Sequence, residues 1–499
     1  MKLRKHILLG IDLGTTVLKA AAFDARSGKA LATGSRRLAV RAAADGTREQ
    51  DPAAIDKALR AVLGEVRAQL GYNWNAVAGV GLAAQGGSAV ICDRTTGAAR
   101  SPLFLWNDMR FQPYLPGIAA KRPVEYWREL SWRDEPGWGL AKIAWLRDAH
   151  PRLIDPARHL YAGAGDYVYF HLTRRWRQDA GNALQEGCFN VPHRRLDAGP
   201  LALVDVDLSF VSAFRDGHET HPVTRDASRR TGLPAGVPVA GPYMDHEAGY
   251  LAASTLSDRP LQFSLGTAWV GNFTLPAGAA WASPFQLVAP SPTTPDGWLV
   301  VQPLLTGNVT WDWAMAQFAH ADRRKAIAAL PGIFDESLLP RDGLVALPWL
   351  NMPNPLWTGS IGGGALFGVS ATTDRHDLLR AVAASMVFET ARVFAHVTQA
   401  GAVDAAVLGG GASKGGFFQQ LLAAALAPLP VRVLTEEDWA GARGAVYAFS
   451  PRAAKAAAVP VRRPSQKTRD AVARGMERYA DLFARLYGHV PAGGAVTFG

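Results

Sequence analysis

The stretch Gly10-Ile11-Asp12-Leu13-Gly14-Thr15-Thr16 sets one carboxylate among apolar residues. Ile7, Leu8 and Leu9 lead in. Val17, Leu18 and the run Ala20 to Phe23 follow, with Lys19 between them. A buried carboxylate without a partner is costly. Asp12 therefore needs a backbone N–H, an arginine or a cation, and hard oxygen ligands suit Mg2+. Gly14, Thr15 and Thr16 offer N–H and hydroxyl donors to phosphate oxygens, with Lys19 nearby. The stretch Gly241-Pro242-Tyr243-Met244-Asp245-His246-Glu247-Ala248 holds a second candidate. Asp245 has two readings. It is a helix N-cap, or it is a general base facing an alcohol hydroxyl and sharing a metal. His246 is either a substrate contact or structural.

Leu13-Gly14-Thr15 returns as Leu265-Gly266-Thr267, about half the chain later and again between apolar segments. Two such hairpins, one per half, would grip a ligand. Gly266, Thr267 and Gly307 are counted with the phosphate-side residues. A third turn, Gly409-Gly410-Gly411-Ala412-Ser413, follows the apolar run Ala405 to Leu408 and precedes a helix starting near Phe417. That order aims backbone N–H groups and a helix N-terminus at a ligand, with Gly410, Gly411, Ala412 and Gly415 as candidates. Gly79-Val80-Gly81-Leu82-Ala83-Ala84 fits a dinucleotide pattern, but its glycines fall within the strand instead of after it. The chain has no P-loop and no zinc spacing.

The elements that must position these residues alternate. Ile7 to Leu13 and Leu18 to Phe23 are expected as strands. Asp51-Pro52 starts a helix whose apolar face is Ile55, Leu59, Val62, Val66 and Leu70. Val77 to Leu82 and Ala89 to Cys92 are expected strands, so the class is α/β. Residues 110–235 are irregular and rich in Trp, Pro and Arg; they are expected as an insertion or lid surface, not a second sheet. A short strand over Val237 to Ala240 is expected to end at Gly241-Pro242, with a helix from Ala248 to Ala253. Lys467 to Tyr487 is expected as a helix burying Val472, Met476, Tyr479, Leu482, Phe483 and Leu486. It should pack on the second domain.

The 499 residues exceed one ordinary core, and domains of 1–250 and 251–499 are expected. Hydrophobic content of 48% and charged content of 19% describe a soluble globular chain without a membrane span. MKLRKH lacks the apolar run of a signal peptide, and two cysteines, Cys92 and Cys188, suit a reducing cytoplasm. The net charge of +10 is scattered over short runs such as Arg174, Arg175 and Arg177, so no nucleic-acid partner is expected.

At these residues the chain resembles the FGGY family of carbohydrate kinases, and is similar to its xylulokinase and glycerol kinase branches. The likeness runs from about residue 7 to 450. Its motifs are the Asp12 stretch, Leu105-Trp106-Asn107-Asp108-Met109-Arg110 and Lys142-Ile143-Ala144-Trp145-Leu146. They continue with Gly364 to Val369 and Asp377-Leu378, then Gly409 to Ser413 with Gln419, and Gly441-Ala442-Arg443-Gly444-Ala445. The last two resemble the adenosine-binding end. The resemblance implies two ribonuclease H-like domains of the actin and sugar-kinase type with a cleft between them. It implies Asp12 on Mg-ATP, Asp245 as the catalytic base, Thr267 at the transferring phosphate, and Gly410 and Gly411 at the adenosine. Domain closure would exclude water.

The departures fall at the sugar side. Gln85-Gly86-Gly87-Ser88 stands where xylulokinases carry Gln-Met-His-Gly and glycerol kinases an Arg-Glu pair, so the pocket is roomier or filled from elsewhere. Asn351-Met352-Pro353-Asn354-Pro355 replaces a Gly-Glu-Arg-x-Pro stretch, Gly139 replaces Pro, Ser or Thr, and Ala384 replaces an acid. The expected reaction is phosphoryl transfer from ATP to a hydroxyl of a xylulose-like ketose, or of a glycerol- or erythritol-type polyol. Gln85, Trp106 and Asp108, with Asp245 and His246, are the expected acceptor contacts. An actin-like nucleotide switch is the reading from another class, and a homodimer is compatible with all three.

Overall fold

The computed structural model describes residues 6–215, 217–281, 286–304, 306–341, 343–350, 363–399, 401–487 and 495–497. Asn351 to Pro355 lie outside them. By contacts the chain forms two compact units. The first is the chain up to Leu256 with Leu287–Leu299 and Asp438–Ala456. The second comprises Ser257–Gln286, Val300–Glu437 and the chain from Ala457.

In the first unit, β1 (Ile7–Leu13) is almost wholly buried, and β2 (Val17–Asp24) returns antiparallel with Asp12 opposite Lys19. β3 (Ala30–Arg37) continues the meander. α1 (Pro52–Leu70) starts where local chemistry places it. The Asp51 side chain accepts the Ala53 N–H at 2.9 Å, Pro52 needs no donor, and the expected apolar residues form the buried face. Burying each such aliphatic side chain contributes about 1.5–3 kcal/mol. β4 (Val77–Ala84) lies parallel to β1.

Three expectations need correction. β5 (Ala89–Asp93) pairs with β6 (His159–Gly163) in a second, five-stranded sheet, so residues 110–235 supply sheet as well as helices. The same region supplies α2 (Trp138–Ala149), α3 (Ala180–Glu186) and the edge strand β7 (Thr220–Pro222). Tertiary pairing made strands of segments too short to show an alternating pattern. β8 (Pro238–Met244) runs through Gly241-Pro242 instead of ending there, and α4 (Asp245–Ala253) starts at Asp245, not Ala248. The main sheet has the order β7-β8-β4-β1-β2-β3, with β8, β4 and β1 parallel.

The second unit repeats the plan. β9 (Pro260–Leu265) and β10 (Trp269–Leu275) form an antiparallel hairpin, β11 (Ala405–Gly409) lies parallel to β9, and β12 (Val431–Leu434) lies parallel to β11. The order β10-β9-β11-β12 matches β2-β1-β4-β8 in direction as well as neighbourhood. The Leu-Gly-Thr repeat therefore marks a duplicated fold. α5 (Asn308–Phe318), α6 (Arg375–Gln399), α7 (Gly416–Ala425) and α8 (Gln466–Tyr487) cover this unit. α8 buries Val472, Gly475, Tyr479, Phe483 and Tyr487, and the Tyr479 hydroxyl donates to Glu389 of α6 at 3.0 Å. Leu486, expected in that stripe, is exposed. No described helix is long and apolar enough to cross a membrane.

Candidate active site

Because β1, β4 and β8 are adjacent and parallel, their carboxyl ends share one edge, where open α/β sheets bind ligands. Register decides what stands there. Asp12 pairs with Ala83, and Ala83 with Tyr243. Gln85 follows directly on β4 and Asp245 directly on β8. The Gln85 N–H donates to the Leu13 carbonyl at 2.8 Å. Residues 12, 85 and 245 thus meet through strand pairing.

Asp12 is half-buried. Desolvation pushes its carboxyl up to about 6; Lys19 opposes the shift and Asp245 adds to it. Lys19 itself stands 3.8 Å from Asp438. Asp245 is the first residue of α4, and Met244 takes the cap position. Among the described residues its Oδ1 accepts the adjoining His246 N–H alone, at 2.9 Å, and with Met244 at the cap the N-cap reading fails. Among the described residues no group of three or more His, Cys, Asp or Glu side chains could hold a metal ion.

The helix Ala440–Ala445 packs across the middle of this sheet, over β1 and β4. A Cβ on Gly10 would lie 1.8 Å from the Ala442 carbonyl oxygen, one on Gly81 2.0 Å from that of Ala445, and one on Gly444 1.7 Å from that of Ala248. A Cβ on Gly441 would lie 2.5 Å from Asp12 Oδ2. The expectation that Gly441 to Ala445 belongs to the adenosine end is therefore corrected: the segment packs on β1, β4 and α4. Gly81, half of the apparent dinucleotide pattern, serves the same packing.

Beside Asp12 a polar hub forms. Thr15 and Ser88 hydroxyls donate to Gln85 Oε1 at 3.1 and 3.0 Å, and Gln85 Nε2 donates to Gln50 Oε1 at 3.2 Å. Gln50 Nε2 donates back to the Thr15 carbonyl at 2.6 Å. The Trp106 indole N–H donates to Thr15 Oγ1 at 3.2 Å, and its backbone N–H to Ser88 Oγ at 3.1 Å. Gln85 is buried by this hub, whereas Trp106 stays 42% exposed. Asp108 is corrected as an acceptor contact. It is fully enclosed and takes hydrogen bonds from the Arg48 N–H and from Arg110, which also pairs with Glu49. Lys142 of α2 donates to the Gly87 and Leu105 carbonyls at 2.5 and 3.2 Å, pinning the hub's two loops; burial lowers its ammonium to about 7. His246 is half-buried beside Asp245.

In the second unit the carboxyl ends of β9 and β11 carry both glycine turns. Gly410, at φ 91°, comes so close that a Cβ would lie 2.7 Å from the Leu265 carbonyl carbon. A Cβ on Gly307 would lie 2.3 Å from the Thr267 carbonyl oxygen. Asn308 braces the turn: its N–H donates to the Gly266 carbonyl at 3.1 Å, and its Oδ1 accepts from the Trp269 indole at 3.2 Å. Ser413 Oγ bonds the Gly410 carbonyl at 2.7 Å and Glu437 at 3.1 Å. Gly411 is exposed, Ala412 is buried, and Gly415 precedes α7. Thr16 and Thr267 are exposed at the tips of their turns; Gly14 spends its N–H on the Val17 carbonyl.

Gln50, Ser88 and Gln185 carry no local signal of their roles. Asn308 had one in the Gly307-Asn308 pair at the start of a helix.

The model of the FGGY family of carbohydrate kinases, N-terminal domain, matches residues 7–252, and that of the C-terminal domain matches 264–450. The chain is similar to a glycerol kinase from Aquifex aeolicus, 23% identical over 84% of each chain. Its fold is similar to that of a xylulose kinase from Rhodospirillum rubrum, with a TM-score of 0.83, 22% identity and 96% and 98% coverage. A gluconate kinase from Lactobacillus acidophilus gives 0.83 at 17% identity, covering 97% and 99%.

Proposed function

The chain belongs to the FGGY family of carbohydrate kinases, phosphotransferases with an alcohol acceptor, and we propose that it moves the γ-phosphate of ATP to a hydroxyl of a ketose or short polyol. One observation carries the residue assignment. Asp12 and Asp245 stand at one strand edge, near enough for Asp245 to raise the Asp12 carboxyl.

The donor set fits Mg2+. Two carboxylates plus phosphate oxygens are a common magnesium shell, and a cation would relieve the Asp12–Asp245 repulsion. Bound there, Mg2+ would neutralise phosphate charge. Asp245 accepts the acceptor hydroxyl's proton as the new P–O bond forms and the bond from the γ-phosphorus to the ADP oxygen breaks; among the described residues its carboxylate takes one hydrogen bond, from a backbone N–H, and keeps acceptor capacity. Within the first unit, the Thr15 N–H and Thr16 are the groups assigned to phosphate oxygens, the Thr15 hydroxyl proton being given to Gln85. Within the second, Gly266 and Thr267 are assigned to phosphate and Gly410, Gly411 and Gly415 to the adenosine. Trp106 presents an aromatic face to the acceptor's C–H surface, and Gln85 holds Thr15 in place. A cytoplasmic site suits an ATP user whose Cys92 and Cys188 are free and buried.

The relative by sequence is named a glycerol kinase, and the similar folds include xylulose, gluconate and glycerol kinases, so all of these acceptor classes belong in the test. ADP release is to be followed with D-xylulose, D-ribulose, glycerol, erythritol and D-gluconate, and the phosphate ester confirmed by mass. Acceptor-dependent ADP is expected. ADP release that no acceptor accelerates would favour the nucleotide-switch reading.

A further inference from the structure

Gly86 and Gly87 leave a gap at the hub, and a side chain from elsewhere in the first unit occupies it. A Cβ on Gly87 would lie 2.2 Å from Gln185 Oε1, and one on Gly86 2.5 Å from Gln185 Nε2. The side chain of Gln185, on α3, therefore stands where residues 86 and 87 would have projected theirs. Three further contacts hold α3 in place. A Cβ on Gly139 would lie 2.4 Å from the Glu186 Cα, which lets α2 and α3 pack backbone to backbone. One on Gly181 would lie 2.6 Å from the Met244 sulfur. Asn182 Oδ1 accepts the Gly87 N–H at 3.2 Å. Four glycines thus make room for one glutamine.

The position of its amide matters more than its bulk. Gln185 is half-buried, not enclosed. It lies between Met244, the residue before Asp245, and the Gly87 turn, whose missing Cβ would lie 3.4 Å from the Trp106 Cβ. Nε2 spends itself on a weak contact to the Met244 sulfur at 3.6 Å. Oε1 and a second N–H remain for a ligand.

We propose that Gln185 is the specificity-determining residue of the acceptor site, offering its carboxamide to a hydroxyl or carbonyl oxygen of the acceptor; this rests on the kinase function proposed above. A neutral amide beside Met244, the residue before Asp245, offers no cation to an aldonate carboxylate and so selects uncharged ketoses and polyols. A polar group left unpaired on either partner is what makes such a contact discriminate.

The test compares the unaltered protein with Gln185→Ala and the near-isosteric Gln185→Met, which keeps the packing volume if the alanine variant fails to fold. The acceptors are D-xylulose, D-ribulose, glycerol, erythritol and D-gluconate. Expected are a KM for the best acceptor raised about tenfold, a kcat within a few-fold, and a changed ranking of acceptors. D-gluconate should be a poor acceptor for the unaltered protein. Folded variants with unchanged KM and ranking would overturn the role of Gln185 and leave the kinase function standing. Preference for D-gluconate would overturn the selection of neutral acceptors. No acceptor-dependent ADP from the unaltered protein would overturn the kinase function and this inference with it.

Discussion

Asp245→Asn separates catalysis from structure in one protein. Asp245 is the first residue of α4, and among the described residues its side chain takes one hydrogen bond, which Oδ1 accepts from the His246 N–H. Asparagine keeps that oxygen. The substitution removes one first-turn charge, worth about 0.3–1 kcal/mol to the helix dipole, while Glu247 stays in the same turn. It also removes a charge that repels Asp12. The two effects oppose, so stability should change by less than about 1 kcal/mol, or about 2–4 °C in Tm. Loss of a general base costs about 10²- to 10⁴-fold in turnover, equivalent to about 3–5 kcal/mol of barrier. A third consequence follows from the coupling: without Asp245 the Asp12 carboxyl drops below its present value of about 6. Turnover by coupled ADP release and Tm by thermal melt are read on the same preparation. Turnover within a few-fold of the parent would refute the base assignment. A melt lowered by many degrees would refute the account of α4.

Asp12 gives a pH-dependent prediction. The native carboxyl holds its proton up to about 6, above the ordinary 3.8, so native protein binds more protons in that window. Stability from this group falls as pH rises through the window. Mg2+ with ADP competes with that proton, so its stabilising shift in Tm should be larger at about pH 7.5 than at about pH 5.5, and Asp12→Asn should abolish the difference; a shift indifferent to both would refute the metal role. Gly10→Ala should cost about 3 kcal/mol or more in urea unfolding, because its Cβ meets the Ala442 carbonyl; Gly64→Ala, with open space around it in α1, should stabilise by about 0.5–1 kcal/mol. Gly87→Ala should destabilise through both its φ of +70° and the Gln185 contact, and Gln185→Ala should relieve only the second. A double-mutant cycle with zero coupling would show that Gln185 does not fill the gap.

The elements whose causes are local were legible in the amino-acid order. Asp51-Pro52 and the spacing from Ile55 to Leu70 specify α1, because a cap, an N1 proline and an apolar face lie within one segment. The two Leu-Gly-Thr turns announced the duplication, because the same three residues recur at the same place, between the two strands of a hairpin. Asp12 stood out as a carboxylate in apolar surroundings, and Asp245 as an acid after a short strand and before a helix. Chain path decided the rest. Nothing near Gly441 says that its helix lies against Gly10 and Asp12, since that approach joins segments over four hundred residues apart. Asp108 looked available for a sugar until the Arg48 N–H and Arg110, itself paired with Glu49, converged on it. Gly86 and Gly87 declared an absence, and only the packing of α3 on α2 showed which side chain fills it. Local patterns specify which elements form, because their causes lie within a few residues. What an element meets depends on strand order and helix approach, which no short stretch of chain contains.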